Sequence, residues 1–188
     1  MRKVVYGVIG LFMLIGFALS ATGAAVSASS RSPMPDVTFQ GIEGQNFRLA
    51  DWSDKVVLVV NTASRCGYAG QFEEMQELLD RYADQGFTVL AVPSDDFRQE
   101  LPTNEEVRRY CVMAFGIEDM PMAQITAITG TKAHPFYAWL RDRYHFEPDW
   151  NFNKVLLGRG GEVLRTYRAS DAPMSEAMRR DIETALKG

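Results

Sequence analysis

The sequence predicts an α/β fold, a central mixed sheet flanked by helices in a single domain, and three observations predict it. Unbroken apolar runs, of the kind a strand buried on both faces shows, alternate with segments whose apolar residues recur every three or four positions. Near the C-terminus two short apolar runs flank a glycine-rich turn, which reads as a hairpin adding antiparallel strands. The chain has 188 residues, of which 46% are apolar. That is the size of one ordinary domain with a sizeable core, so disorder and a disulfide-stapled mini-protein are excluded.

Residues 1–28 read as an address rather than as part of that domain. Arg2 and Lys3 form a positive start, Val4 to Ala21 carries no charge, and Val26-Ser27-Ala28 fits the small-x-small rule for signal-peptidase cleavage. The alternative is an uncleaved anchor, because the apolar run just reaches the ~18 residues that a spanning helix needs. Either reading places the domain outside the cytosol, in a periplasm or secreted. Residues 29–36 form a polar linker, and 37–188 form the domain.

Within the domain the elements follow in order. Lys55 to Asn61 is a buried central strand. From Gln71 to Tyr82 the residues Phe72, Met75, Leu78, Leu79 and Tyr82 share one helical stripe, stopped at Gly86. Phe87 to Val92 is a second buried strand, ended by Pro93. Asn104 to Phe115 is a helix with Thr103 as N-cap and Glu106 as capping-box partner, closed by Gly116. Pro135 to Arg143 is a short helix. Lys154–Leu157 and Glu162–Leu164 pair around Gly158–Gly161, and Ser175 to Lys187 is a closing amphipathic helix.

Composition removes some functions. The formal net charge is −4, and the body is more acidic still without Arg2 and Lys3. A nucleic-acid partner is therefore not expected, since backbone binding needs a basic surface. Two histidines and two cysteines with no close pair do not make a tetrahedral zinc site.

The informative segment is Asn61-Thr62-Ala63-Ser64-Arg65-Cys66-Gly67. It follows the central strand at once and precedes a helix, and the carboxyl edge of an open α/β sheet is where ligands bind. Helix dipole and free amide N–H groups favour a thiolate there, the nucleophilic form that attacks a peroxide or disulfide. A small apolar cysteine packed under the helix is the competing reading.

This segment resembles the first signature of the glutathione peroxidases, and the likeness continues. Val92-Pro93-Ser94-Asp95-Asp96-Phe97 stands where the family has its second signature, followed by Gln99-Glu100 and Asn104-Glu105-Glu106. His134 to Leu140 and Trp150-Asn151-Phe152-Asn153-Lys154 are similar to two later blocks, in the right order. The resemblance runs from about Pro35 to the C-terminus and implies a thioredoxin-like fold. It also implies a peroxidase that acts on hydrogen peroxide and organic hydroperoxides, with no cofactor beyond a thiol reductant as co-substrate.

By this resemblance Cys66 is the peroxidatic cysteine, left as a sulfenic acid after attack on the O–O bond. Trp150 and Asn151 match the family's tryptophan and asparagine, whose N–H groups face the sulfur. A core aromatic and a turn residue are their ordinary alternatives. The family's second signature usually carries a glutamine that completes this group, and counting along the signature puts Asp96 in its place. A carboxylate there cannot donate a hydrogen bond and would oppose the thiolate by like-charge repulsion. Asp96 is thus either protonated, or accepts from Trp150 or Asn151, or points elsewhere.

Cys111 matches the resolving cysteine of the thioredoxin-dependent, two-cysteine, non-selenium branch, allowing one deleted residue near Arg98. A Cys66–Cys111 disulfide would then be reduced by a thioredoxin-like protein or by glutathione, and closing it would require the helix to unwind or shift. A third cysteine common in relatives is Ser94 here. Arg141–Asp149 is short where the family's tetrameric members carry a long loop, so the resemblance implies a monomer without a dedicated glutathione pocket. Other thiol chemistries fit less well: Cys66-Gly67-Tyr68-Ala69-Gly70 contains neither C-x-x-C nor C-x-x-x-C, and no Pro…Thr-x-x-Cys precedes it. The alternative from another class is a non-catalytic redox-sensing or structural module with a permanent disulfide. His134, before a helix-starting proline, reads as structural, and His145 has no nameable partner.

Overall fold

The computed structural model describes residues 34–188. The expected signal peptide, residues 1–28, and most of the expected linker, up to residue 33, lie outside the described residues. Two three-residue strands, β1 (Thr38–Gln40) and β2 (Asn46–Arg48), form an antiparallel hairpin that the sequence pattern does not announce. Arg48 donates to both Asp36 carboxylate oxygens at 2.8 and 2.6 Å, and Met34 packs on the core. The last residues assigned to the linker are therefore tied into the domain.

The main sheet has β3 (Val56–Thr62), β4 (Phe87–Pro93), β5 (Lys154–Leu157) and β6 (Val163–Tyr167), in the order β4-β3-β5-β6. β3 and β4 are parallel and in register from Val56↔Phe87 to Thr62↔Pro93. Every residue of both is buried, which is why each reads as a continuous apolar run. β5 and β6 join antiparallel, and their hairpin turns through Gly160 and Gly161 at φ 89° and 82°, a region that only glycine enters freely. Helix α1 (Gln71–Tyr82) crosses from β3 to β4, α2 (Asn104–Phe115) and α3 (Pro135–Tyr144) lie between β4 and β5, and α4 (Glu176–Lys187) follows β6. This β-α-β plus β-β-α arrangement is a thioredoxin-like fold, and the predicted elements agree within a residue or two, apart from the longer β6.

The sheet separates two apolar layers. Val56, Leu58 and Val60 turn towards Phe72, Met75 and Leu78 of α1, Val107 and Cys111 of α2, and Met178 and Ile182 of α4. Val57 and Val59 turn the other way, towards Phe136, Tyr137 and Leu140 of α3 and Phe39 of β1. Each such side chain contributes roughly 1.5–3 kcal/mol on full burial.

The ends of α2 and α3 are built from side chains. Thr103 Oγ1 accepts from Glu106 N at 3.2 Å and donates to Glu106 Oε2 at 3.0 Å, so the two residues of the expected capping box do meet. Gly116 closes α2 at φ 64°, its N–H reaching the Val112 carbonyl at 2.9 Å, while Ile117 N reaches the Cys111 carbonyl. His134 caps α3: Nδ1 accepts from Phe136 N, Nε2 lies 3.2 Å from the Thr38 carbonyl, and the ring stacks on Phe39 at 4.0 Å. With Nδ1 accepting, Nε2 carries the proton. Burial holds this imidazole below its usual pKa, so His134 is a structural neutral histidine.

Candidate active site

Three loops meet beyond the carboxyl ends of β3 and β4. The first, 63–70, carries Cys66 through a series of turns, with Ala69 N donating to the Cys66 carbonyl and Gln71 N to the Tyr68 carbonyl. Cys66 therefore sits one turn ahead of α1 rather than within its first turn, and it is 6% exposed. Both cysteines are free thiols.

The second loop, 94–101, clamps the first. Arg65 N donates to the Gln99 carbonyl and Ser64 N to Glu100 Oε1, both at 2.9 Å. Asp95 stabilises the loop from within, accepting from Glu100 N at 3.1 Å, and Arg98 takes a left-handed φ of 59°. Burial pushes the Glu100 carboxyl above its ordinary pKa, against the opposing pull of the Ser64 side chain and of the Leu101 and Ser64 amides.

The third loop carries Trp150 and Asn151 into the same space. Asn61, at the end of β3, anchors it from three atoms: Nδ2 donates to the Trp150 carbonyl at 3.0 Å, its carbonyl accepts from Phe152 N at 2.6 Å, and its N–H reaches the Asn153 carbonyl. Asn153 Oδ1 accepts from Trp150 N, and Phe152 adopts φ 65°, so the turn is tightly specified. Asn151 is fully buried and donates from Nδ2 to Gln99 Oε1 at 2.9 Å. Trp150 stays 41% exposed and leans on Phe97 at 5.5 Å. Among the described residues neither side chain donates to the Cys66 sulfur. The Asn151 amide keeps a second N–H beyond the one given to Gln99.

The expectation for Asp96 is corrected here. Its Oδ2 accepts from Ile128 N at 2.7 Å, Thr129 N at 2.8 Å and the Thr129 hydroxyl at 3.0 Å. Of the three arrangements left open by the sequence, Asp96 points elsewhere and ties down the 128–129 loop. The glutamine that meets Asn151 is Gln99, three residues later. Counting from Val92-Pro93 misplaces it because the loop folds back through Arg98. The Gln99-Glu100 pair in the sequence was the available signal for Gln99, and Asn61 is likewise a site residue that sequence reasoning did not single out, whereas Glu100 serves as a clamp between two loops.

Cys111 lies fully buried on α2, in the apolar layer that also holds Cys66. Burial, with the field of Glu100, pushes its thiol up to about 12. Lys154 is buried on β5, its ammonium donating to the carbonyls of Arg168, Ala169 and Asp171, and burial pulls it down to about 8. The Ala169 carbonyl also accepts from Gln71 Nε2 at 2.8 Å, so this cation steadies the loop that holds the start of α1.

A family model for glutathione peroxidases matches residues 34–141. The chain belongs to the glutathione peroxidase family. It is similar to the glutathione peroxidase homolog BsaA of Halalkalibacterium halodurans, 37% identical over 150 residues, covering 77% of this chain and 94% of the relative. It is 30% identical to the hydroperoxy fatty acid reductase gpx1 of Synechocystis over 172 residues, covering 86% of this chain and all of the relative. Among solved structures, Trgpx in its apo form superposes with a TM-score of 0.63 at 28% identity, covering 83% of this chain and 97% of that one. This glutathione peroxidase family member is a peroxidase, an oxidoreductase that uses a hydroperoxide and a thiol reductant.

Proposed function

We propose that this peroxidase works through Cys66 as the attacking thiolate and Cys111 as the resolving thiol, outside the cytosol. Cys66 Sγ attacks the distal peroxide oxygen, the O–O bond breaks, and water or an alcohol leaves while the sulfur becomes a sulfenic acid. Cys111 then attacks that sulfur, water departs, and a Cys66–Cys111 disulfide forms. A thioredoxin-like protein or glutathione returns it to two thiols. Hydrogen peroxide and organic hydroperoxides are the substrates.

What carries this reading is Gln99, whose carbonyl holds Arg65 N next to Cys66 while its side chain meets Asn151. Trp150 is on the same turn as Asn151, so that three N–H-bearing side chains lie on the loops around the cysteine. Donors fixed in advance stabilise a thiolate and the alkoxide leaving group without reorganising. Exposed Trp150 and Tyr68 leave an apolar rim that suits an organic hydroperoxide, in keeping with the fatty-acid hydroperoxide named for the Synechocystis relative.

The test is single-turnover peroxide consumption by the reduced protein, with free thiols counted afterwards. The expected result is one equivalent consumed and both thiols lost, with Cys111→Ser stopping at sulfenic acid. Consumption no faster than that of a free thiol would instead support a non-catalytic module.

A further inference from the structure

Glu100 is a buried carboxyl group for which the peroxide step has no use. Its Oε1 accepts from Ser64 N at 2.9 Å and Leu101 N at 2.8 Å, while Oε2 is buried without a partner. Ser64 lies two residues before Cys66, and Leu101 leads through Thr103 into the helix that bears Cys111. The carboxylate thus stands at the junction of the two elements whose cysteines must meet. The charged groups that act on Cys111 are Glu100 and, more weakly, Arg108, which is itself held by Glu43 and the carbonyls of Ile117 and Glu118. Asp95, on the same loop, is the other carboxylate whose field reaches Glu100.

The resolving step needs a base. Only a thiolate attacks a sulfenic sulfur, so the Cys111 proton must leave as the disulfide closes, and while Cys111 stays packed burial holds its thiol up at about 12. Opening the end of α2 would bring Cys111 towards the clamped turn, where Glu100 Oε2 is the unpartnered acceptor.

We propose that Glu100 is the proton acceptor for the Cys111 thiol in the step that closes the Cys66–Cys111 disulfide. The inference rests on the two-cysteine cycle proposed above. As Cys111 Sγ bonds to the Cys66 sulfur, the S–O bond breaks. The Cys111 proton passes to Glu100 Oε2, and the departing hydroxide takes that proton and leaves as water. Cys111 is oxidised, the sulfenic sulfur is reduced, and Glu100 ends as the carboxylate it began as.

The experiment mixes the reduced protein with one equivalent of hydrogen peroxide and quenches at intervals. Sulfenic acid is trapped and free thiols are counted, separately for the wild type and Glu100→Gln, from pH 4 to 10. Glutamine keeps an acceptor for Ser64 N and Leu101 N but takes no proton. The expected result is a peroxide step within about threefold of wild type, and closure slowed about a hundredfold, as for loss of a general base. The wild-type closure rate should rise with the ionisation of one carboxyl whose titration lies above the ordinary carboxylate range, then level off, whereas the variant's should keep climbing into alkali. Equal closure rates and profiles for both proteins overturn the proposal. So does a wild-type profile that climbs steadily into alkali, a result that needs no variant. A wild type that stops at sulfenic acid, or that consumes no peroxide, overturns the two-cysteine cycle and this inference with it. A wild type that closes normally while Glu100→Gln matches it removes the inference alone.

Discussion

Replacing Asp96 and Gln99 one at a time separates the residue that holds the 128–129 loop from the residue that meets Asn151. Asp96→Ala removes three hydrogen bonds from one carboxylate oxygen and leaves the Ile128 and Thr129 amides unpaired. A typical hydrogen bond contributes about 0.5–1.5 kcal/mol net, and Asp96 is exposed, so water replaces part of what is lost. The expected loss is about 2 kcal/mol, or roughly 4–8 °C in melting temperature for a domain of this size. The peroxide step should stay within about twofold of wild type. Gln99→Ala removes the partner of a fully buried Asn151 amide. Its stability cost is about 1–3 kcal/mol, the penalty of an unpaired buried donor. Here, however, the peroxide step should slow by about tenfold or more, because the loss of one fixed polar group at a reacting centre costs that much or more. The assay is stopped-flow single turnover beside a thermal melt of the same samples. An Asp96→Ala chain that melts like the wild type but consumes peroxide tenfold more slowly would refute this assignment of the two residues.

Three further outcomes follow from other parts of the molecule. Lys154 sits near 8 when folded and near 10.4 when unfolded, so between those values the unfolded chain holds more protons and stability rises with pH. Relative to Lys154→Met, the wild type should gain about 2 kcal/mol between pH 7 and 10, read from urea midpoints; a flat difference would contradict a charge buried there. Asn61→Ala should cost about 1–2 kcal/mol and slow peroxide consumption, because the Trp150 carbonyl loses the Asn61 amide while the two backbone bonds of that anchor remain; a melt shift with an unchanged rate would make the side-chain bond merely structural. Thr103→Ala should cost about 1 kcal/mol through the lost cap of α2, checked by urea unfolding.

Most of the fold was legible because its determinants are local and strong. β3 and β4 are apolar throughout since both faces are covered, and the stripe on α1 names the very residues that pack. The β1–β2 hairpin escaped because three-residue strands show too little alternation, and what holds it is the non-local packing of Phe39 under α3. Cys66, Trp150 and Asn151 were legible as types in sequence blocks. Asp96 misled because a loop position is set by where the backbone doubles back, and the left-handed Arg98 leaves no signature in residue type. Glu100 was unreadable for a related reason: its burial arises from loops distant in sequence.

The two-layer core has a mechanical consequence. Both cysteines lie in the layer shared by α1, α2 and α4, while the opposite layer, under α3 and the β1–β2 hairpin, contains neither. A redox cycle that repacks around Cys111 therefore disturbs one side of the sheet, and the other side acts as a keel that keeps β3 and β5 in register. In the proposed cycle, disulfide closure would be a partial melting confined to one layer. Amide exchange should record it as faster exchange in α2 against unchanged protection in α3. On that cycle, oxidation would loosen one layer of the molecule without erasing the clamp that the returning thiols must find again.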